Sequence, residues 1–223
     1  MDGYTEMTTP GTLERSLREL RVVPVVTIDD AADAGGLGRA LCDGGLPVAE
    51  ITFRTPAAAG AIALLRQECP DMLVGAGTIL TIADLDAAVA AGASFVVTPG
   101  FNPLIVDRCL ERNIPIIPGI STPSDIEQGL MRGLQLLKFF PAEQGGGLPF
   151  LSAVAGPYPQ VSFMPTGGIN RTNLPVYLER PFVAACGGSW IAGPTDIAAH
   201  HFTDIQARAR EAVALAAPRD RTS

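Results

Sequence analysis

PVAEITFRTPAAAGAIALLRQECPDMLVGA (47–76) carries the pattern that decides the fold. A short run with apolar and β-branched residues, PVAEITF (47–53), gives way to an alanine- and leucine-rich stretch of helical periodicity (57–68). A second short run, MLVGA (72–76), follows. Strands joined through a helix pair in parallel, because the helix forms a crossover. The same unit recurs along the chain. Strand-like runs fall at 22–28 (VVPVVTI), 94–98 (SFVVT), 114–117 (IPII), 134–140 (LQLLKFF), 160–164 (QVSFM) and 182–186 (FVAAC), with further helical stretches at 81–91, 103–112 and 124–132. Eight strands alternating with helices, the right-handed crossover rule and a length of 223 residues predict an α/β fold, a single closed (β/α)8 TIM barrel. An open doubly wound sheet is the runner-up, but it would want a GxGxxG turn after an early strand, and none is there.

Before the first strand, Leu13, Leu17 and Leu20 recur at helical spacing and predict a short N-terminal amphipathic helix. No linker divides the chain, so one domain is expected over 1–223, with a polar lead over 1–11 and a frayed tail over about 217–223.

Composition narrows the function. A formal net charge of -7 argues against binding nucleic acid or an anionic membrane, both of which need a basic face, yet leaves room for a small phosphate in a local pocket. The scattered cysteines (Cys42, Cys69, Cys109, Cys186) form no CxxC pair and predict reduced thiols in a cytoplasmic protein. His200 and His201 are neighbours in sequence and do not share a face, so no metal site is expected. MDGYTEMTT (1–9) lacks an apolar core, which predicts no secretory signal, and no apolar run is long enough to span a bilayer.

Polar and glycine-bearing residues gather where the strands end: Arg54 and Thr55, Gly77 and Thr78, Thr98 and Pro99, Ser121 and Thr122, Lys138, Thr166 to Gly168, and Gly187 to Ser189. In a barrel these share the catalytic rim; ordinary turn chemistry is the competing account. In AEITFRT (49–55), strand alternation puts Glu50, Thr52 and Arg54 on one face. A carboxylate inside a barrel needs a partner or a task. Glu50 reads as a general acid/base and Arg54 as a grip for a substrate carboxylate, or the two satisfy each other as a buried pair. FMPTGGIN (163–170) and GGSW (187–190) follow the last two strands, where exposed backbone N–H groups and the Ser189 hydroxyl suit a phosphate. Trp190 is expected to pack beside that turn. In GAGT (75–78), Thr78 can offer a hydroxyl to a substrate oxygen. In TPGFNP (98–103), Pro99 is either a rigid pocket wall or a strand stop.

Fifteen arginines and one lysine supply the positive charge, and the lysine, Lys138, lies inside LQLLKFF. Burial disfavours the ammonium and leaves a free amine that can condense with a carbonyl. The alternative is a lysine whose stem packs while its head stays wet. Glu143, in FFPAEQGGG (139–147), either tunes Lys138 or is loop surface.

Taken together, these residues resemble the class I 2-keto-3-deoxy-6-phosphogluconate (KDPG) aldolases and their bifunctional relatives acting on 4-hydroxy-2-oxoglutarate (KHG). The likeness runs from VVPVVTI (22–28) to about residue 192, and LKFFPAE (137–143) is its most specific element. The resemblance implies a Schiff-base lysine at Lys138 and a general acid/base at Glu50. It implies pyruvate-carboxylate contacts from Arg54, Thr78 and Lys138, pocket walls from Pro99 and Phe140, and a phosphate site at Thr166, Gly167, Gly168 and Ser189. It further implies cleavage of KDPG to pyruvate and glyceraldehyde 3-phosphate, no cofactor or metal, and a homotrimer. Two other enzymes remain in view, an aldolase for the 6-phosphogalactonate epimer and a phosphate-binding isomerase or synthase without a Schiff base. A non-catalytic sugar-phosphate sensor is a third alternative.

Overall fold

The computed structural model describes residues 10–218. Of the expected lead over 1–11 and tail over about 217–223, residues 1–9 and 219–223 lie outside the described residues, and Pro10 and Gly11 belong to the first helix. The chain opens with helix α1, Pro10–Leu20, whose Leu13 and Leu17 are buried. Burying each leucine stabilises by about 1.5–3 kcal/mol, enough to hold a short helix that would not persist alone.

Nine short strands follow among the described residues: β1 (Val22–Val26), β2 (Val48–Thr52), β3 (Leu73–Gly77), β4 (Phe95–Val97), β5 (Ile116–Ile117), β6 (Gly119–Ile120), β7 (Leu136–Phe139), β8 (Ser162–Pro165) and β9 (Cys186–Gly188). Between and after them lie α2 (Ala34–Asp43), α3 (Ala58–Glu68), α4 (Ile82–Ala90), α5 (Pro103–Glu111), α6 (Pro123–Leu130), α7 (Gly147–Ala155), α8 (Leu174–Leu178), α9 (Pro194–Ala198) and α10 (Phe202–Ala216). Every ladder is parallel, as crossover helices require.

The ladders do not form the closed eight-stranded barrel that the sequence suggested. They form a six-stranded sheet, in the order β5-β4-β3-β2-β1-β9, and a three-stranded sheet, β6-β7-β8. Prolines mark both seams. At the first, Pro118 separates β5, which pairs with β4, from β6, which pairs with β7, so the chain changes sheets at a residue with no N–H to donate. At the second, β8 and the segment leading into β9 share only two isolated bridges, Phe163 with Val183 and Thr166 with Gly187, with Pro165 lying between them. The last strand is also displaced from 182–186 to Cys186–Gly188, where it pairs with Val22–Pro24 of β1.

The strands are buried along nearly their whole length, which is why they read as apolar runs rather than alternating ones. Several helix starts are fixed by capping. Thr81 and Asp84 form a reciprocal capping box at α4, Thr122 and Asp125 do the same at α6, and Asn102 caps α5 ahead of Pro103. No described helix is long and apolar enough to cross a membrane.

Candidate active site

Glu50 stands in the middle of β2, opposite Val25 of β1 and Gly75 of β3. Lys138 stands in β7, opposite Gly119 of β6 and Met164 of β8. The two residues therefore belong to different sheets. Their side chains meet across the interior, with Lys138 Nζ donating to Glu50 Oε1 at 3.0 Å and reaching Oε2 at 3.4 Å. Glu50 is 0% exposed and Lys138 4%. Lysine with a wet head is thereby ruled out, and so is a Glu50–Arg54 pair, because the partner of Glu50 is Lys138. Removing water from both charges carries a heavy desolvation penalty, and a contact of this kind is weak evidence of a stabilising role. Its value lies in chemistry. The hydrogen bond gives the amine a direct route for its proton, and it places a carboxylate beside whatever is bound to that nitrogen.

Two further features shape the pair. Lys138 Nζ lies 5.4 Å from the centroid of the Phe140 ring, so the wall beside the amine is aromatic. Gly77, at the end of β3, faces the Glu50 side chain so closely that a Cβ there would overlap the carboxylate. The sequence places Gly77 at the rim but does not show this clearance, which is set by β2–β3 register (Thr52 opposite Gly77) and not by any local motif.

The remaining rim groups separate into two sets. Thr55 donates to Ile28 O, Thr98 donates to Gly100 O at 2.8 Å and accepts from Gly119 N at 3.2 Å, and the Thr122 hydroxyl and the Ser121 backbone N–H are consumed by the α6 cap. For these, turn chemistry is the correct account. Arg54, Thr78 and Ser189 make no hydrogen bond or ion pair with any described residue. Arg54 and Ser189 are exposed and Thr78 is half-buried. Thr78 also holds φ 58°, a left-handed conformation that a β-branched residue adopts only under strain. Half-buried Pro99 is pressed against β6, where a Cβ on Gly119 would collide with its carbonyl.

Just past β8, Thr166 is buried, and its neighbour across the bridge, Gly187, leaves just enough space for its side chain. Gly167 and Gly168 take φ 100° and 78°, open to glycine and closed to other residues without strain. The carbonyls of this turn are engaged: Thr166 O and Gly167 O accept from Ala142 N and Glu143 N at 2.8 and 3.0 Å, and Gly168 O accepts from Asn170 and Asn173. The N–H groups of Gly167, Gly168 and Ser189 have no acceptor among the described residues. Carbonyls that are engaged beside amides without a protein partner are the pattern that anion-binding turns use. Trp190 packs beside these amides, with Arg171 5.3 Å from its ring centroid.

Glu143 is neither a partner of Lys138 nor idle surface. It accepts a hydrogen bond from Tyr177 Oη, and its own N–H holds Gly167, so it ties the loop after β7 to the glycine turn. Burial, and then the Glu143 carboxylate, push the Tyr177 phenol well above its ordinary range, keeping it a donor. A cavity of about 900 Å³ opens where the strands begin, lined by residues such as Pro47, Arg66, Met72 and Ser94. It contains none of the residues above, and the buried Glu50–Lys138 contact marks the chemistry better than cavity size does. No group of three or more His, Cys, Asp or Glu among the described residues could hold a metal ion.

Comparison with known proteins agrees with this geometry. Residues 13–208 match the family model described as KDPG and KHG aldolase. The 2-dehydro-3-deoxy-phosphogluconate aldolase of Treponema pallidum is 49% identical over 204 residues, covering 92% of this chain and 97% of that protein. The enzyme of the same name from Haemophilus influenzae is 48% identical over 197 residues, covering 88% and 93%. A crystal structure of KDPG aldolase from Legionella pneumophila, with pyruvate captured at low pH as a covalent carbinolamine intermediate, superimposes with a TM-score of 0.86 at 41% identity, covering 91% of this chain and 97% of that one. The chain belongs to the KDPG and KHG aldolase family and is an enzyme, a carbon–carbon lyase.

Proposed function

We propose that the protein is a class I aldolase that cleaves KDPG to pyruvate and glyceraldehyde 3-phosphate, with KHG, cleaved to pyruvate and glyoxylate, as a second substrate. The observation that carries this reading is the buried contact of Lys138 with Glu50 between the two sheets. The names of its close relatives, and the covalent pyruvate in the Legionella enzyme, support it.

In this mechanism Lys138 passes a proton to Glu50 and adds to the ketone carbon of the substrate. Glu50 hands that proton to the carbinolamine hydroxyl, which leaves as water, so an ionised Glu50 and a protonated imine, the electron sink, remain. Glu50 takes the proton from the hydroxyl two carbons beyond the imine carbon; the carbon bearing it becomes an aldehyde as its bond to the intervening carbon breaks, and that electron pair passes into the imine. Glyceraldehyde 3-phosphate departs and an enamine of pyruvate stays on Lys138. Glu50 returns a proton to the enamine carbon, and water hydrolyses the imine to release pyruvate. One carboxylate serves each proton step because it lies beside the nitrogen throughout.

Arg54 and Thr78, together with Lys138, hold the substrate carboxylate in this reading. Pro99 and Phe140 wall the pocket, and Thr166, Gly167, Gly168 and Ser189 take the phosphate. That Arg54, Thr78 and Ser189, and the amides of Gly167, Gly168 and Ser189, have no partner among the described residues supports that division. The reading extends to one domain over 1–223, a homotrimer, a cytoplasmic location and catalysis without cofactor or metal.

The decisive experiment is borohydride reduction in the presence of pyruvate, followed by peptide mapping. A reduced pyruvate adduct on Lys138, the sole lysine, is expected. Folded protein that takes up no adduct at neutral pH would overturn the Schiff-base mechanism.

A further inference from the structure

Two of the four cysteines, 27 positions apart in sequence, are brought together by the packing of α2 on α3. Cys42 lies in the last turn of α2, and Cys69 is the residue that caps the C-terminus of α3. Gly38 lies one turn before Cys42 on the same helix face. A Cβ on Gly38 would come within 2.6 Å of Leu65 and 2.8 Å of the Cys69 sulfur, so the bare glycine is what allows α3 to close on α2 here. Helix side chains lean toward the N-terminus, so the Cys42 thiol lies over Gly38, where the Cys69 sulfur sits. All four cysteines are free thiols; Cys42 is half-buried, whereas Cys69, Cys109 and Cys186 are buried. A small oxidant therefore meets Cys42 first and finds a second thiol already beside it.

We infer that Cys42 and Cys69 form a modification site, an oxidisable dithiol that a hydroperoxide converts to an intramolecular disulfide joining α2 to α3. The Cys42 thiolate attacks one peroxide oxygen, the O–O bond breaks, and protonation of the departing oxygen gives water and a sulfenic acid. The Cys69 sulfur then attacks the sulfenic sulfur. The S–S bond forms, and the hydroxyl leaves with the Cys69 proton as a second water. Two thiols are oxidised by two electrons, and one hydrogen peroxide is reduced to two waters. The pair lies at the end of the fold where β2 and β3 begin, away from the rim at 53–55 and 77–78.

Rate carries its own signature. Burial, followed by the neighbouring Cys69, pushes the Cys42 thiol up to about 11. The thiolate fraction, and the oxidation rate with it, rises about tenfold for each pH unit between 7 and 10. The test treats reductant-free full-length protein with hydrogen peroxide at pH 7, 8 and 9, followed by intact mass and a non-reduced peptide map. The expected product is lighter by about 2 Da, contains one cross-linked pair holding residues 42 and 69, and reverts with dithiothreitol. Cys42→Ser abolishes the cross-link. Cys69→Ser abolishes it too and leaves a sulfenic acid on Cys42 that dimedone traps. Gain of about 16 or 32 Da at Cys42 of the unsubstituted protein without a cross-link would overturn the inference. So would intact thiols at pH 9 under conditions that oxidise a free cysteine peptide.

Discussion

Gly77→Ala probes the catalytic pair without touching either member. Gly77 ends β3 directly opposite Thr52, and its backbone is not left-handed, so alanine fits the local conformation. The conflict is purely steric. An added Cβ would lie 2.5 Å from Glu50 Cγ, 2.7 Å from its carboxyl carbon, and within overlap of Oε1. Glu50 is wholly enclosed and hydrogen-bonded to Lys138, so it cannot swing into solvent to make room. Overpacking of this kind costs about 1–3 kcal/mol. In a chain of this size that lowers the melting temperature by about 2–12 °C. The kinetic effect is larger, since a displacement on the order of 1 Å at a reacting group slows turnover about 10²-fold. A coupled assay of pyruvate release should therefore show a large fall in kcat with little change in KM, while borohydride still traps pyruvate on the retained Lys138. Because the substitution acts through Glu50, adding it to Glu50→Gln, itself slower by about 10²–10⁴-fold, should cause little further loss of kcat. An unchanged kcat in a folded but destabilised Gly77→Ala protein would refute the reasoning, as would a full multiplicative effect in the double variant.

Four other outcomes follow from the same geometry. Lys138→Arg should abolish turnover, because a guanidinium stays charged and cannot form an imine; near-normal pyruvate release by that variant would sink the mechanism. Ser189→Ala should raise KM for the phosphorylated KDPG more than for unphosphorylated KHG, and an equal effect on both would remove Ser189 from the phosphate site. Thr78→Gly should relieve the left-handed strain and raise stability by up to about 1 kcal/mol in thermal unfolding, while lowering kcat/KM through loss of the hydroxyl; unchanged kinetics would free Thr78 from a substrate role. Alkali should destabilise the fold through its buried thiols. Burial raises Cys109 from 9.0 to about 12, so the folded state holds its proton where the unfolded chain has lost it. The associated stability is full below pH 9 and is lost as pH climbs toward 12. Denaturant titrations across that window should show a shallower decline in Cys109→Ala, and an identical slope would show that this thiol is not responsible.

The chemistry was more legible than the architecture, and the reason is physical. Lys138 and Glu50 each stand out because a charged residue in a buried strand violates the local pattern, and a violation is visible in one dimension. Their strands were placed correctly for the same reason that any buried parallel strand is, as short apolar runs between helical ones. Closure of the sheet depends on ladder hydrogen bonds at two seams, and those depend on register. Pro118 and Pro165 are plain in the sequence, but a proline breaks a ladder only on the side toward which its missing N–H would have pointed. Pro24 in β1 illustrates the difference, since it is paired opposite Gly188 and its strand remains laddered on both sides. The rim tells the same story. Thr55, Thr98 and Thr122 look like Thr78 and Ser189 on paper, because all are hydroxyls just past a strand. What separates them is whether a backbone carbonyl, an amide or a capping carboxylate lies within reach, and only the fold decides that. Substrate-binding groups on a rim are therefore best recognised by subtraction: once turns and caps have taken the polar groups they need, those still lacking a protein partner are the ones left free to bind something else.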